Sequence, residues 1–566
     1  MHRLLLLLFL VPRLVLGQGA TVPFTTYEAE APINRTNGTV VTLKSSPTTP
    51  QDTPELEASG RGYVALTAPG QYLEFPGVLP SNTIVLRHCI PDSPHGGSTS
   101  ATLSLYVNGV FRQSLLLTST FNWLYGPISG NGQSNDPAAG PPHVFWDESR
   151  FFISGPAIRK GDVIRLQKDP ADTAAFYRID LIELEHVSSP LPPPPIGTYL
   201  SVADFGAKDK TDSTKAIQSC IDAAKARHKT VWIPPGEYYQ SATFNVDGVT
   251  IQGAGMWYTT ISSTLLGTDW LGKVGFHLTG TGPSVSDLFV QSLVHNHRSD
   301  GGQAFTGNPA GWSVRNVWIT HTNTGFWMSG ASKGIISHCR VRFTYADGIN
   351  LNMGATDNTV EQNHLRGIGD DGLAILSDAT APPTTGNTLR FNTVIANWWG
   401  SACDLAGGSR HIIRNNYFAD TLFSGAFAIN LTSAYPMRPL TSAIFFGNTI
   451  VRGGGCGFGG QQRGAIWIYP DRLSISGMTI ENNLIIHPLF SGIDLEGSGN
   501  QTITFAENVI DTPGTEAVSI APQATGTGAF TRNTAKNVSP TSHPFVNHAA
   551  PHYIVTGTSN TWNRSQ

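Results

Sequence analysis

A short unit recurs along the second half of the chain, and it restricts the fold more than any other feature of the sequence. Each unit has an apolar strand, an Asn-centred turn and a second apolar strand, as in VEQNHL, IRNNYF and IENNLII. A drifting period of 23 to 35 residues is typical of a β-solenoid whose turns accept insertions. The units alternate with period two and are rich in Ile, Val, Thr and Phe, which argues against helical repeats. The aligned turn positions, whose side chains we expect to stack in hydrogen-bonded ladders, are Asn316, Cys339, Asn363, Asn392, Asn416, Asn448, Asn483 and Asn508.

A second strand begins about eight residues after each turn position, as in DGINLN, DGLAIL and SACDLA. Asp347 and Asp371 both start such a strand, so they should occupy the same place on consecutive coils, with Asp370 just before Asp371. Parallel strands lie about 4.8 Å apart, so the carboxylates should be neighbours and at least one pKa should be raised. Asp-Gly is also a common turn signal, and three acids can bind a metal. The register favours an active site over both alternatives, and it predicts that Ile349 and Leu373 stack toward the core.

Composition excludes several classes of protein. The 566 residues are only 13% charged with a net charge of −4, which offers no basic surface for nucleic acid. The first 17 residues, MHRLLLLLFLVPRLVLG, have the basic start and short apolar run of a secretory signal, and no later run reaches membrane-spanning length. We expect a secreted, extracellular protein that is a monomer. Six Asn-x-Ser/Thr sequons fit a glycoprotein, at Asn34, Asn37, Asn430, Asn500, Asn537 and Asn563.

The proline run SSPLPPPPIG, residues 188–197, predicts a linker between two domains. Before it, residues 18–187 contain short alternating strands between Gly, Pro and Asp turns, which indicates a β-sandwich. After it, residues 198–566 should form a right-handed parallel β-helix, so the fold class is all-β. One amphipathic helix is expected near its start, with Asp212 or Ser213 as the cap and Ile217, Cys220 and Ala224 on its apolar face. The flanking DFGA and VWIPPGEY resemble the opening of β-helix enzymes of the pectate-lyase superfamily, in which such a helix closes one end of the solenoid.

The N-terminal domain carries a second resemblance. Its YEAEAP and RIDLIELE resemble the first and last strands of carbohydrate-binding modules of families 6 and 35. That resemblance implies a structural calcium held by Glu28, Glu30 and Asp180, although solvated acids at strand edges are the simpler alternative. The insertion SGNGQSNDPAAGPPHVFWDESRF is longer than a compact module needs, and we expect it to pack on the second domain.

The three aspartates fit one chemistry well. Glycoside hydrolysis needs a protonated carboxyl group for the leaving oxygen and an ionised carboxylate to activate water or attack carbon. An Asp followed one coil later by an Asp pair resembles glycoside hydrolase family 87, the α-1,3-glucanases (mutanases) and mycodextranases. The resemblance implies an inverting enzyme that acts on an α-glucan, with Asp370 as general acid and Asp347 and Asp371 holding the attacking water. It implies no cofactor for catalysis.

Further residues are candidates for substrate binding. Trp398 and Trp399 precede the equivalent position on the next coil, Ser401, and aromatic rings stack on sugars, although Trp also fills crevices. Asn350 and Asp404 have outward parity in their strands and are candidates to bind glucosyl hydroxyls. His411 is a weaker candidate, because a lone His in a strand is more often structural. Trp327 and Trp467 are candidates for distal subsites.

Other functions remain open from the sequence alone. Family 28 polygalacturonases share the β-helix and a one-plus-two Asp pattern, but the chain lacks their Gly-His-Gly and Arg-Ile-Lys elements. A uronate substrate would call for cations near the cleft, where mainly aromatic and neutral polar residues are found. A calcium-dependent polysaccharide lyase and a non-catalytic polysaccharide-binding protein are the remaining alternatives.

Overall fold

The computed structural model describes residues 19–47, 53–126, 134–263, 274–292, 302–457 and 459–564. The expected secretory signal, residues 1–17, lies outside this range. In the described part the N-terminal domain has two antiparallel sheets, whose inner faces share one apolar core. In spatial order, one sheet contains Asp147–Phe152, Thr83–Cys89, Tyr177–Glu185, Gly62–Leu66 and Thr39–Thr42, with Phe24–Glu28 also paired to Tyr177–Glu185, and the other contains Arg35–Thr36, Tyr72–Phe75, Ile164–Gln167, Ser100–Val107 and Val110–Thr118.

Smaller elements decorate this sandwich. A two-stranded ribbon pairs Pro142–Val144, which lies in the long insertion, with Trp123–Tyr125, which precedes it. A short α-helix covers Pro54–Glu57, and 3₁₀ turns cover Ser59–Arg61 and Pro137–Ala139.

The second domain starts with a strand, a 3₁₀ turn at Val202–Phe205 and the expected helix, Thr214–Arg227. Ser213 is the N-cap residue, but its side chain makes no capping bond to the helix; Asp212 Oδ1 instead accepts a hydrogen bond from the Thr214 N–H at 3.0 Å. Ile217, Cys220 and Ala224 are buried and join the core of the first coils. The helix therefore covers one end of the apolar core of the solenoid.

Two parallel sheets then run along the whole second domain, so the expected all-β architecture of a β-sandwich followed by a parallel β-helix is confirmed. The first, here called the groove sheet, has twelve strands in the described residues: Phe244–Asp247, Phe276–Thr279, Gln303–Gly307, Thr324–Ser329, Ile349–Asn352, Leu373–Leu376, Cys403–Ala406, Phe427–Leu431, Ile466–Pro470, Ile493–Leu495, Val518–Ile520 and Phe545–Asn547.

The second, here called the long sheet, bends at a turn within each coil. Its described strands are Tyr199–Ser201, Thr230–Ile233, Gly236–Gln240, Thr250–Gly253, Thr259–Ser263, Ser284–Gln291, Ser313–Thr320, Ile335–Ser337, Arg340–Arg342, Thr359–Glu361, His364–Arg366, Thr388–Arg390, Thr393–Ile395, Gly408–Arg414, Tyr417–Ala419, Leu440–Phe446, Thr449–Val451, Ile475–Glu481, Leu484–Ile486, Asn500–Ala506, Val509–Asp511, Thr525–Thr531, Thr534–Val538, Tyr553–Thr556 and Thr561–Arg564. A small hairpin, Gly455–Cys456 with Gln462–Arg463, projects between coils.

The Asn turns form a ladder inside the solenoid. In each rung the Asn Nδ2 donates to the Oδ1 of the Asn on the next coil, at 2.9–3.1 Å. The same Oδ1 also accepts from the backbone N–H of the preceding Asn, so buried turn backbone is satisfied by side chains. The ladder runs through Asn363, Asn392, Asn416, Asn448, Asn483, Asn508, Asn533 and Asn560.

One position of the sequence alignment was wrong by a residue. Strand register places Val317, not Asn316, beside Cys339, because Trp318 pairs with Arg340. Asn316 occupies the preceding position, where the backbone is left-handed (φ 53°). Asn tolerates that conformation better than most residues, so the turn accepts Asn at either of two adjacent places.

The predicted core register is confirmed: Ile349 pairs with Leu373 on the neighbouring coil, and both are buried. All five cysteines are buried and none forms a disulfide. No helix among the described residues is long and apolar enough to cross a membrane.

The two domains meet through a buried network of ion pairs. Glu148 of the sandwich lies between two arginines of the long sheet, with Oε1 2.8 Å from Arg366 Nε and Oε2 3.1 Å from Arg342 Nε. Arg366 also pairs with Glu183, and Arg340 Nη2 lies 2.8 Å from Glu185 Oε2. The sandwich is therefore bound along the long sheet, beside the coils that carry Asp347 and Asp371.

Candidate active site

The outward face of the groove sheet forms the floor of a long groove. Register pairs Trp327 with Asn350, Asn350 with Ala374 and Ala374 with Asp404, so these side chains form one row across four coils. The groove encloses about 610 Å³, a volume typical of ligand sites. Its walls come from the loops at both ends of the strands, and the lining includes Asp347, Asn352, Met353, Asp370, Asp371, Asp378, Trp399, Ser401, Phe423, Tyr435, Met437, Arg463 and Trp467.

The three predicted aspartates meet in this groove. Asp347 and Asp371 each lie two residues before paired strand positions, and the Gly348 N–H donates to the Asp371 carbonyl, so both occupy the same place on consecutive coils. One carboxylate oxygen from each of Asp347, Asp370 and Asp371 lies within 4.8 Å of the others. Asp371 Oδ1 accepts from the Ser401 N–H at 2.8 Å, and Asp347 Oδ1 accepts from the Asp371 N–H at 3.3 Å. Backbone donors of successive coils thus fix two of the three carboxylates.

Crowding and burial favour protons on these acids. Burial, then the charges of Asp404, Asp370 and Asp347, raise the pKa of Asp371 well above its ordinary value, and the Ser401 N–H only partly offsets this. Burial likewise raises the pKa of Asp404 to about 8, with Asp370 and Asp347 adding to it. The groove therefore contains two carboxyl groups, those of Asp371 and Asp404, whose pKa values are raised by burial and by the neighbouring acids.

The turn that carries Asp370 is tightly enclosed. Asn397 Nδ2 donates to the Asp370 carbonyl at 2.6 Å and to the Ser401 carbonyl at 2.8 Å, so it bridges two coils. A Cβ on Gly400 would lie 2.7 Å from Asp370 Oδ1, which leaves room only for glycine there. Neither Asn397 nor Gly400 was predicted from the sequence. No local pattern marks Gly400, because its contact is with the neighbouring coil.

The predicted tryptophans separate into two environments. Trp399 is half-buried and lines the groove, as a sugar-binding residue should. Trp398 is 6% exposed and packs under the groove against Phe145 of the sandwich, with ring centroids 4.8 Å apart. The prediction that Trp398 contacts substrate is therefore corrected: its ring is covered by the other domain.

His411 also lies away from the groove. It belongs to the long-sheet strand Gly408–Arg414 and is 1% exposed. Burial lowers its pKa to about 4, so it is a neutral core histidine. Its candidacy as a substrate ligand is corrected, because the groove lies on the other sheet.

Asn350 and Asp404 line the groove as their parity predicted. Asn350 is fully buried, its Oδ1 accepts from Asn352 Nδ2 at 2.9 Å, and its Nδ2 has no protein partner. Such a donor is costly unless a ligand or water meets it.

The two outer tryptophans differ in accessibility. Trp327 lies one coil before Asp347 and is half-buried in the groove lining. Trp467 is only 5% exposed, since Arg463 lies over its ring at 4.2 Å and Tyr469 stacks beside it at 5.3 Å. Arg463 was also missed by the sequence analysis, and its guanidinium is engaged by Trp467 and Phe423.

The predicted calcium ligands belong to the sandwich and lie at its interface with the solenoid, not in the groove. Asp180 pairs with Arg87, and Glu28 Oε1 accepts from Ser59 Oγ at 2.8 Å. One oxygen each of Glu28, Glu30 and Asp180 is buried with no protein partner. Burial raises the pKa values of Glu28 and Glu30 to about 8 and that of Asp180 to about 6.

Comparisons with known proteins agree with this geometry. Residues 21–187 match the family model "Alpha-1,3-glucanase catalytic domain D1", and residues 209–558 match "Alpha-1,3-glucanase catalytic domain D2". The crystal structure of the Agl-KA catalytic domain is 27% identical with a TM-score of 0.86, covering 96% of this chain and 99% of that one. The catalytic unit of the thermostable GH87 α-1,3-glucanase of Streptomyces thermodiastaticus strain HF3-3 is 28% identical, with a TM-score of 0.82 and coverage of 96% and 98%.

A third solved structure is the catalytic domain of a GH87 α-1,3-glucanase in complex with nigerose, which is 26% identical with a TM-score of 0.85 and coverage of 96% and 100%. Among curated proteins, alginate lyase 7 of Azotobacter vinelandii is 38% identical over 112 residues, which is 18% of this chain and 13% of that protein. That match spans a small part of both chains, whereas the glucanase models match both domains. The chain therefore belongs to glycoside hydrolase family 87, the family of the α-1,3-glucanase catalytic domains.

Proposed function

We propose that this protein hydrolyses α-1,3-glucosidic linkages in a glucan, with Asp347, Asp370 and Asp371 as its catalytic groups. The observation that carries the proposal is the convergence of these three carboxylates, within 4.8 Å, in a groove lined by Trp327 and Trp399. Structures of a family 87 α-1,3-glucanase with Asp→Ala substitutions at three positions have been solved with nigerose or tetrasaccharides. Those positions have the same spacing along the chain as the three aspartates here, which supports the assignment.

In the proposed reaction Asp370 donates a proton to the leaving glycosidic oxygen. Asp347 and Asp371 lie side by side on consecutive coils and hold the attacking water between them. The Ser401 N–H favours the ionised form of Asp371, as a base requires. Asn350 Nδ2, Asp404 and the Trp399 ring supply hydrogen bonds and stacking to the sugar rings.

The raised pKa of Asp371 favours a second assignment of the proton. In the free enzyme, burial and the charges of Asp404, Asp370 and Asp347 favour a proton on Asp371. If that proton stays on Asp371 when substrate binds, Asp371 is the acid and the roles of the adjacent residues are exchanged. The activities of Asp370→Asn and Asp371→Asn on a glucan and on an α-glycosyl fluoride separate the two assignments.

We propose inversion at the anomeric carbon, because two neighbouring carboxylates can hold a water that neither would hold alone. The selected oxygens of the three carboxylates lie within 4.8 Å of one another, whereas the distances of about 6.5–9.5 Å for inverting and about 5–5.5 Å for retaining enzymes join whole carboxyl groups, so stereochemistry has to be measured directly. Proton NMR of the first product resolves the question. Initial release of the β-anomer supports inversion, and initial release of the α-anomer would assign a carboxylate as nucleophile.

A substrate panel tests the proposed activity. Purified protein is incubated with α-1,3-glucan, nigeran and polygalacturonate, each with and without EDTA, and reducing ends and ultraviolet absorbance are both measured. Reducing sugar from the two glucans, unaffected by EDTA and without absorbance, is expected. Absorbing products that require calcium would assign a lyase, activity on polygalacturonate alone a pectin hydrolase, and binding without products a non-catalytic protein.

We propose that Glu28, Glu30 and Asp180 hold a structural calcium. Three buried carboxylate oxygens without protein partners suit this hard cation, although the other oxygen of Asp180 already pairs with Arg87. Calcium bound there would raise the thermal midpoint, whereas an unchanged midpoint in EDTA would argue against it.

We propose that the protein is secreted as a monomer. Expression of the full chain in a secreting host should give extracellular protein that starts after residue 17, with the mass of one chain in solution. Retention of the uncleaved N-terminus inside the cell would contradict secretion.

A further inference from the structure

The turn that carries Asp370 packs on Trp398, a buried residue that does not line the groove. A Cβ added to Gly369, the residue before Asp370, would lie 2.7 Å from Trp398 Cζ2 and 2.5 Å from the Tyr345 carbonyl oxygen. The backbone at Gly369 is therefore pressed directly against the indole ring of Trp398. Any displacement of that ring would be transmitted to the turn.

Trp398 is in turn held by the N-terminal domain. Phe145 meets the indole edge-to-face, with centroids 4.8 Å apart, and His143 approaches it at 6.1 Å. The Phe145 backbone is itself fixed, because its N–H donates to the Asn122 carbonyl at 2.8 Å and its carbonyl accepts from Asn122 Nδ2 at 3.2 Å. A chain of packed groups thus runs from Asn122 through Phe145 and Trp398 to Gly369.

The two neighbouring aspartates depend on this chain to different degrees. Asp371 Oδ1 is fixed by the Ser401 N–H of the next coil, and Gly372 is already in the sheet register. Asp370 precedes the strand. Its N–H donates to the Ala346 carbonyl at 3.1 Å and its carbonyl accepts from Asn397 Nδ2 at 2.6 Å, so its backbone follows the two turns that pack on and carry Trp398. Loss of the packing under Trp398 should therefore displace Asp370 more than Asp371.

We infer that Phe145 of the sandwich domain is a positioning residue for the reaction: it holds Trp398 against Gly369 and thereby holds Asp370 at the glycosidic oxygen. The inference rests on the proposed role of Asp370 as proton donor. It gives the N-terminal domain a part in catalysis that requires no sugar binding by that domain.

The test compares two substrates. An α-1,3-linked oligosaccharide needs protonation of its leaving oxygen, whereas the corresponding α-glycosyl fluoride needs little. For Phe145→Ala we expect kcat to fall by about 10- to 10²-fold on the oligosaccharide, as small misplacements of catalytic groups do, with KM little changed. On the fluoride the loss should be at least several-fold smaller.

The control is Phe24→Ala. Phe24 is buried to the same degree, 6% exposed against 7% for Phe145, and packs from the sandwich onto His364 of the long sheet at 5.3 Å, away from Gly369. It should lower stability without changing the ratio of the two rates. Phe145→Leu, which keeps most of the volume, should give a smaller form of the same selective loss and replaces Phe145→Ala if that variant does not fold.

Asp370→Asn is measured in parallel to separate the inference from the proposed function. If the fluoride does not rescue Asp370→Asn, the role of Asp370 as acid is wrong. If it does rescue Asp370→Asn but both Phe145 variants lose equal activity on both substrates, or lose none, Phe145 does not position the acid and the inference is overturned.

Discussion

At the scale of single residues, the position of one proton among the groove carboxyl groups decides which aspartate is the general acid and which ones activate water. Asp370→Asn should reduce kcat on α-1,3-glucan by at least ~10²–10⁴-fold, because it removes a proton donor at nearly constant volume. Binding of a nonhydrolysed oligosaccharide should remain nearly intact. On an α-glycosyl fluoride the loss should be much smaller than for Asp347→Asn or Asp371→Asn, since water must be activated for either substrate.

The reverse pattern is equally informative. Rescue by the fluoride confined to Asp371→Asn would place the acid on Asp371, in agreement with its raised pKa in the free enzyme. Rescue confined to Asp347→Asn would exchange acid and base completely. Circular dichroism of each variant establishes that the fold is retained.

Asp404 gives a second prediction, which concerns both the stability of the protein and the pH profile of its activity. Its pKa is raised to about 8 in the folded protein, so the folded state binds a proton that the unfolded state releases above about pH 4. Stability contributed by that proton is therefore lost as pH rises from about 4 through 8. Asp404→Asn should raise the free energy of unfolding at pH 9 by about 1–3 kcal/mol, the usual penalty of a buried unsatisfied group.

The same substitution removes a negative charge that raises the pKa of Asp371. With Asp371 as the base, its lower pKa should move the acidic limb of the kcat/KM profile to lower pH; with Asp371 as the acid, the alkaline limb should move instead. Chemical denaturation at pH 5 and 9, with a pH–rate profile, measures both effects. A profile with both limbs unchanged would show that the charge of Asp404 does not act on Asp371.

Single residues also show which side-chain environments cannot be predicted from the sequence. Strand parity placed Asn350 and Asp404 in the groove, because period two decides which face a side chain takes. Parity could not separate Trp398 from Trp399, which lie in a turn, and what covers Trp398 is Phe145, more than 250 residues earlier in the chain. Packing against another domain leaves no local signal.

At the scale of elements, the Asn ladder carries the turn of each coil. Asn416 accepts two hydrogen bonds from Asn392 and donates to the Leu389 carbonyl and to Asn448, and it is fully buried. Asn416→Ala should lower the free energy of unfolding by about 2–4 kcal/mol, because it leaves a backbone N–H and a carbonyl unsatisfied. Urea denaturation measures the change.

The neighbouring residue is a matched control for this prediction. Asn415 has a left-handed backbone, φ 56°, and lies outside the ladder. Asn415→Ala should cost only about 1–2 kcal/mol, the strain of a left-handed Ala. Equal losses for both variants would mean that turn geometry, not the ladder, supplies the stability.

The strands and their register were the features most accurately predicted from the sequence. The repeat, the two strands per coil and the register of Ile349 with Leu373 all follow from periodicity and spacing, which act over one coil. The error at Asn316 has the same local origin. Asn is accepted both at the left-handed position and at the ladder position after it, so a one-residue ambiguity remains in the sequence.

At the scale of the whole molecule, the ion pairs between the domains join residues about 200 positions apart, such as Glu148 with Arg342 and Arg366. Composition and periodicity contain no information on such pairs. The sequence predicted that the insertion of residues 129–151, which contains Glu148, packs on the second domain, but not that Glu148 itself lies between two arginines. That arrangement couples the stability of the sandwich to the solenoid.

Glu148→Gln tests this coupling. The Glu148 side chain is 2% exposed and its two partners are at most 1% exposed, so the substitution leaves two buried guanidinium groups with less compensation. Removal of one member of a buried pair typically costs about 3–5 kcal/mol. We expect the wild type to show one calorimetric transition for both domains and the variant to show one transition at lower temperature. Glu361→Gln, which breaks the more exposed pair with Arg390 inside the solenoid, should cost only about 0.2–1 kcal/mol.

The pH dependence of the difference in unfolding free energy between wild type and Glu148→Gln shows whether the ionised carboxylate of Glu148 causes it. Burial alone would raise the pKa of Glu148, but Arg366 and Arg342 more than offset burial and hold the pKa below its ordinary value. Stability from this ionised group is therefore fully present above about pH 4.3, its unfolded pKa, and is lost as pH falls through the lower folded value. Wild type and Glu148→Gln should differ most at neutral pH and converge in acid. Two separate transitions in the variant, with the solenoid unchanged, would contradict the coupling, because they would show that the network stabilises the sandwich alone.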